Sequence, residues 1–238
     1  MKMLFAVVAI LLVASVQSVE FQIKNNLPGP IWVGILGNNG KPPLANGGFV
    51  LNQNEQKSVH SDERWAGRFW ARTWCNPNSR HCETGDCGNR LECNGAGGVP
   101  PVTLAEITLR GHEGQDFYDI SLVDGFNVVA KIQPLGGRGS CRTVGCNRDL
   151  NPNCPGPLRL TGSAGYTIAC YSACSKFNTD QYCCRGQFGQ PQSCNPATWQ
   201  SNSASYFKSN CPDAYSYAYD DATSTFTCVA NAYRVTFG

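Results

Sequence analysis

The chain is poor in charge and in the residues that build metal and cofactor sites. Charged side chains make up 15 % of it, and 19 basic against 17 acidic residues leave a net charge of +2. So small an excess favours neither nucleic acid nor an anionic membrane surface, and no nucleic-acid partner is expected. Histidine occurs three times, as His60, His81 and His112, in unrelated contexts that suggest surface positions. Among the fourteen cysteines no Cys-x2-Cys pair occurs, the short loop that turns two thiolates onto one zinc. Neither a metal nor a cofactor is expected. No Asn-x-Ser/Thr sequon is present, so N-glycosylation is not expected either. Outside the amino terminus there is no long apolar run, and therefore no expected transmembrane segment. A long helical pattern is also missing, which argues against a mainly helical fold.

What is abundant is cysteine, glycine at 25 residues and proline at 14. An even count of fourteen cysteines would not stay oxidised in a reducing cytosol, and it points to a secreted, extracellular, disulfide-bonded chain. The amino terminus agrees. Lys2 precedes the apolar run Leu4 to Ala14, and small residues follow to Ser18. The run is shorter than the roughly 20 residues needed to span a bilayer, so residues 1–18 read as a signal peptide cleaved after Ser18.

Short strand patterns lie at both ends of what remains. Phe21 and Ile23 alternate with Gln22 and Lys24, and Tyr233, Val235 and Phe237 alternate with Arg234 and Thr236. Ile31 to Leu36, Gly67 to Trp74, Val102 to Leu109, Phe117 to Leu122 and Thr225 to Val229 are β-prone runs between Gly/Pro turns. This pattern predicts an all-β sandwich or barrel. Two stretches break it: 73–101 with four cysteines, and 148–211 with seven. Both read as stapled lobes on a β-core formed by 19–72, 102–147 and 212–238. A short helix is expected near Ala173 to Phe177.

Carboxylates on strands stand out. By period two, Glu106 shares a face with Val102, Leu104 and Thr108, and Asp119 shares one with Phe117 and Ser121. An acid among small or apolar neighbours suggests the lining of a cleft. Asp124 before Gly125 also reads as a turn, and Asp213 after Pro212 also reads as a loop brace. Tyr215, Tyr217 and Tyr219 would lie on one face of a strand, where they could stack on a glycan or simply pack.

Cys82-Glu83-Thr84-Gly85-Asp86-Cys87-Gly88 resembles the centre of the thaumatin family signature. Arg68-Phe69-Trp70-Ala71-Arg72-Thr73, Pro100-Pro101-Val102-Thr103-Leu104-Ala105-Glu106, Tyr118-Asp119-Ile120-Ser121, Asp124-Gly125-Phe126-Asn127, Tyr182-Cys183-Cys184 and Cys211-Pro212-Asp213-Ala214-Tyr215-Ser216-Tyr217 extend the resemblance over nearly the whole chain. Asn78 stands where that signature opens with Gly. Many members carry sixteen cysteines; the missing two fall at Leu27 and Gly238, which in the family bond to each other, so their joint loss leaves no orphan thiol and the chain ends are expected to fray.

The resemblance implies a flattened β-sandwich core of about eleven strands with two disulfide-rich lobes, and a cleft between the core and the larger lobe. It also implies the pairs Cys75–Cys82, Cys87–Cys93, Cys141–Cys228, Cys146–Cys211, Cys154–Cys170, Cys174–Cys183 and Cys184–Cys194. Glu106, Asp119, Asp124 and Asp213 match the acidic cleft of antifungal members, with Arg64 as the accompanying arginine. The implied function is a monomeric, secreted defence protein that binds β-1,3-glucan or another fungal cell-wall polysaccharide. The alternatives are a weak endo-β-1,3-glucanase with Glu106 and Asp124 as its carboxylate pair, and a lectin-like or inhibitory module that binds a protein. Thiol titration of the native chain should find no reactive sulfhydryl, and reduction in denaturant should release all fourteen.

Overall fold

Buried and solvent-facing side chains alternate along strand β1 (Ser18–Asn25), with Val19, Phe21 and Ile23 turned inward. A computed structural model describes residues 18–238, so the expected signal peptide lies outside the described residues except for Ser18, which opens β1. The strands that follow are β2 (Ile31–Gly37), β3 (Gly48–Leu51), β4 (Gln56–Asp62), β5 (Ala66–Cys75), β6 (Cys82–Thr84) and β7 (Leu104–Thr108). After them come β8 (Asp116–Ser121), β9 (Ala130–Pro134), β10 (Val144–Gly145), β11 (Arg159–Thr161), β12 (Thr167–Cys170), β13 (Phe226–Cys228) and β14 (Ala232–Phe237).

Two sheets face each other across one core. The first runs β10-β9-β14-β1-β4 and the second β13-β8-β7-β5-β2-β3, with β6 added to the far end of β5. Phe21 of the first sheet packs on Phe69 of the second at 5.0 Å between ring centroids, and on Trp65 at 5.3 Å. Ile31, Val33, Ile107, Tyr118 and Ile120 meet Tyr233, Val235 and Phe237 in the same core. Without β6 these two sheets hold eleven strands, which make the sandwich, and the family fold holds.

The chain ends are better anchored than the missing bridge suggested. β1 and β14 pair in parallel from Glu20↔Ala232 to Asn25↔Phe237, and both are interior strands of their sheet. A Cβ placed on Gly238 would lie 2.8 Å from the Leu27 backbone nitrogen and 3.1 Å from Leu27 Cγ, so the two positions that lack cysteine still touch. The fraying expected there is opposed by hydrogen bonding on both sides of each terminal strand.

The lobes also carry regular structure, of which the sequence pattern disclosed only the helix at Ala173–Phe177. In 148–211, β11 and β12 pair as a small sheet. Helix α1 (Ala173–Phe177) is capped reciprocally by Ser172 and Ser175, and α2 (Asp180–Cys183) by Thr179. Helix α3 (Ser203–Asn210) is capped by Asn202; its mixed Ser, Asn and aromatic composition hides its period. A short α4 (Asp221–Ser224) lies beyond the lobe. All fourteen cysteines are paired, in the bridges Cys75–Cys82, Cys87–Cys93, Cys141–Cys228, Cys146–Cys211, Cys154–Cys170, Cys174–Cys183 and Cys184–Cys194.

The small lobe is fastened to the body by two residues of β5. Trp70 lies against Gly34, where any Cβ would meet the indole at 2.1 Å, and its Nε1 donates to the Gly85 carbonyl at 2.8 Å. Arg72 is fully buried and donates to four backbone carbonyls, those of Trp32 and Val33 in the body and of Arg90 and Leu91 in the lobe. Burial pushes its guanidinium down to about 10, with Asp86 acting in the opposite sense, so it stays charged at physiological pH. Arg72→Leu should destabilise the protein by about 3–5 kcal/mol, because a buried carbonyl left without a donor costs about 1–3 kcal/mol. Denaturant unfolding measures the loss, and limited proteolysis within 76–101 should accelerate with it.

Candidate functional site

Three neighbouring strands place three charged side chains on one rung. Arg68 of β5 is directly opposite Glu106 of β7, and Glu106 is directly opposite Asp119 of β8. Facing residues on adjacent strands have Cβ atoms about 4.5–5.5 Å apart, so the register alone gathers the three groups. They line a groove of about 460 Å³ whose floor includes Leu104, Thr108, Phe117 and Ser121. Period two therefore put Glu106 and Asp119 on the faces expected. Asp124 enters from the turn after β8, where the Gly125 N–H donates to the Leu122 carbonyl at 2.9 Å. Gly125 has φ +99°, and a Cβ there would lie 2.6 Å from the Cys170 carbonyl oxygen, so both the turn and the close approach to the larger lobe require glycine. Asp124 is thus a turn residue and a groove residue at once.

Arg68, rather than Arg64, is the arginine of this groove. Its Nε is 3.5 Å from Glu106 Oε1, and the two side chains are 33 % and 31 % exposed. Arg64 is exposed in the bend after β4, its backbone N–H bonded to Asp62 Oδ1, and it does not line the groove. It lies ahead of β5, outside the strand alternation that aims Arg68 at β7. Asp213 is likewise absent from the lining: its carboxylate is held by Arg142 Nη2 at 2.6 Å, and its reading as a loop brace fits that contact. In its place Tyr215 reaches the groove, its hydroxyl bonded to Asp221 Oδ1 at 2.9 Å and to Thr225 Oγ1. Nothing in the pattern around Asp221 distinguished it from a helix start, which it also is.

The three tyrosines do not share a strand. Tyr215 makes a single bridge to Ser121, Tyr217 packs edge-on against Trp199, and the Tyr219 hydroxyl donates to the Gly189 carbonyl. The groove lining comes from β-core segments alone; no residue of 148–211 belongs to it. The larger lobe buttresses it from outside, the Ser172 hydroxyl donating to the Val123 carbonyl at 2.6 Å.

Burial sets the electrostatics. It raises the carboxyl of Glu106, with Arg68 opposing and Asp124 adding to the rise. It raises Asp119 well above the usual carboxylate range, helped by Glu106, opposed by Arg68 and helped again by Asp221. Asp124 is raised by burial, with Arg68 opposing. Asp119 Oδ1 is buried without a hydrogen-bond partner, and so is Arg68 Nε, whose contact with Glu106 is ionic. One guanidinium cannot offset three crowded carboxylates, so part of the set holds protons where isolated acids would not. An acid able to donate beside an ionised carboxylate is the minimum equipment for protonating and attacking a glycosidic bond. The same groups can hydrogen-bond sugar hydroxyls without cleaving anything.

Comparison with known proteins gives the family of the whole chain. The chain matches the thaumatin family over residues 25–238. It is 50 % identical over 226 residues to pathogenesis-related protein 5 of Arabidopsis thaliana, covering 94 % of this chain and 91 % of that one. A glucan endo-1,3-beta-glucosidase of Prunus avium is 45 % identical over 219 residues, covering 90 % and 88 %. Among solved structures, a beta-1,3-glucanase domain (GH64) from Clostridium beijerinckii superposes with a TM-score of 0.52 at 12 % identity, over 93 % of this chain and 98 % of that one, a likeness of fold alone. With matching extending over nearly its whole length, this chain belongs to the thaumatin family.

Proposed function

We propose that this chain is a secreted defence protein that binds β-1,3-glucan of fungal cell walls in the groove of Arg68, Glu106, Asp119 and Asp124. The observation that carries the reading is the rung Arg68–Glu106–Asp119, an uncommonly desolvated set of charges lining an open groove. A β-glucan offers rows of hydroxyls, which such charges bind through charge-assisted hydrogen bonds. The likeness to a pathogenesis-related protein and to a β-1,3-glucosidase supports both the defence role and the glycan. Seven disulfides support the secreted part of this reading, and among the described residues no helix is long and apolar enough to cross a membrane.

A second reading, slow endo-hydrolysis of the same glucan, is favoured by the raised carboxyls. Glu106 then donates a proton to the leaving oxygen and Asp124 serves as base or nucleophile, with Arg68 holding the rung together. Substitution separates the two. If the chain is a hydrolase, Glu106→Gln should lower release of reducing ends by about 100-fold or more while retention on insoluble β-1,3-glucan persists. If it only binds, neither protein releases product, and Glu106→Gln with Asp124→Asn weakens retention. Unchanged retention and no hydrolysis would discard both readings of the groove, and no retention by the parent protein would favour a protein partner.

The groove also makes a stability prediction. Folding raises the Asp119 carboxyl, so the native state holds its proton to higher pH than the unfolded chain. The contribution is fully present below the unfolded value of about 4 and is lost as pH rises through the folded value. Asp119→Asn should therefore melt higher than the parent at pH 7, and the difference should close as the buffer is taken toward pH 3.

A further inference from the structure

We propose that Trp74 and Tyr166 form a second carbohydrate-binding platform, separate from the groove, that stacks a pyranose ring of a neutral polysaccharide. The two rings come from different parts of the chain, the end of β5 and the turn before β12. They meet edge to face at 5.5 Å between centroids. Trp74 is 50 % exposed and Tyr166 49 %, whereas Trp32, Trp65, Trp70 and Trp199 are all buried. The Trp74 backbone has φ +56°, a left-handed conformation that is unfavourable for a bulky side chain and needs support from its surroundings. An exposed indole held on a strained backbone against a ring from another lobe contributes little to the core, and it presents a preformed apolar face.

The polar side of the platform is equally well set. Trp74 lies between the paired residues Thr73↔Thr84 and Cys75↔Cys82, so its cross-strand neighbour is Glu83. The Glu83 carboxylate takes the Ser163 N–H at 2.8 Å and the Ser163 hydroxyl at 2.6 Å, which joins β6 to the β11–β12 turn carrying Tyr166. Those hydrogen bonds, opposed by slight burial, hold the Glu83 carboxyl below its usual range, so it is ionised at neutral pH. A carboxylate has about four acceptor sites, and two remain free. An apolar ring face beside a free acceptor matches a sugar, which has a C–H face and a rim of hydroxyl donors.

Size selects the same occupant. Aromatic side chains bury about 150–250 Å² each, so two half-exposed rings offer on the order of 200 Å². A protein partner needs roughly 800 Å² per side. Trp74 is also six residues along β5 from Arg68, about 20 Å at the rise of a strand. A long glucan can touch the platform and the groove together, which raises its effective concentration at the second contact, while a short oligosaccharide cannot.

The test uses the intact chain and does not depend on groove chemistry. Because Trp74 is the one exposed tryptophan among the described residues, acrylamide quenching of tryptophan fluorescence reports on it. Short neutral oligosaccharides from β-1,3-glucan, xylan and chitin are titrated in turn. At least one should shield the fluorescence, equally well in Glu106→Gln, and Tyr166→Ala should weaken that shielding about threefold to tenfold, the size of one aromatic contact. Trp74→Gly, which suits φ +56°, should fold at least as stably and lose a similar factor in retention on the insoluble polymer. Shielding by none of the three, or shielding that appears on raising protein concentration alone and so reports self-association, would overturn the platform. Loss of hydrolysis or groove binding in Glu106→Gln with shielding intact would leave it standing.

Discussion

Everything in this molecule is organised by the period-two alternation of one ten-residue strand, β5. Phe69 and Ala71 point into the core shared by the two sheets. Arg68, Trp70 and Arg72 point the other way and meet three different environments: the groove, the apolar centre of the small lobe, and a ring of backbone carbonyls. Slipping the strand by one residue would bury two arginines among Phe21 and Tyr233 and turn two core side chains outward. The sandwich, the small lobe and the groove therefore stand or fall on the same register.

The two arginines of that face show how burial divides structure from chemistry. Arg72 is completely enclosed, yet four carbonyls satisfy it, and it anchors the lobe as a fixed charge. A second buried ion works the same way. Asp116, at 0 % exposure, is closed by Arg110, the Tyr233 hydroxyl and the Ala230 N–H. Arg68, Glu106 and Asp119 are less enclosed but less satisfied, with polar atoms left unpaired. A buried polar atom without a partner costs free energy, and a ligand hydroxyl can recover it. The same desolvation that makes Arg72 structural leaves the rung of β5, β7 and β8 with unpaired polar atoms.

Bridges let the chain afford such irregular surroundings. Cys154–Cys170 and Cys174–Cys183 lie within the lobe that braces the Val123–Asp124 turn, and Cys146–Cys211 ties its two ends. Helices of four to eight residues would not persist alone, since nucleation is costly. Held there, they support the groove without lining it.

Much of this was readable before any coordinates. Alternation located β1 and β14, β-prone runs between turns located β2, β5, β7, β8 and β13, and period two picked out Glu106 and Asp119, because an acid on an otherwise apolar strand face has few reasons to be there. It failed for β4, where only Val59 and Ser61 of seven residues are buried, and for α3, whose apolar stripe is too thin to show a period. What the sequence by itself determined was local: which side of each strand faces a core, where turns need glycine, and that the cysteines oxidise in pairs. Which arginine meets Glu106, that Asp213 is bound by Arg142 while Tyr215, bonded to Asp221, lines the groove, and that Trp74 meets Tyr166 were decided by the tertiary structure alone. Those contacts join residues far apart in the chain, and no local periodicity encodes the distance between strands that only packing brings together.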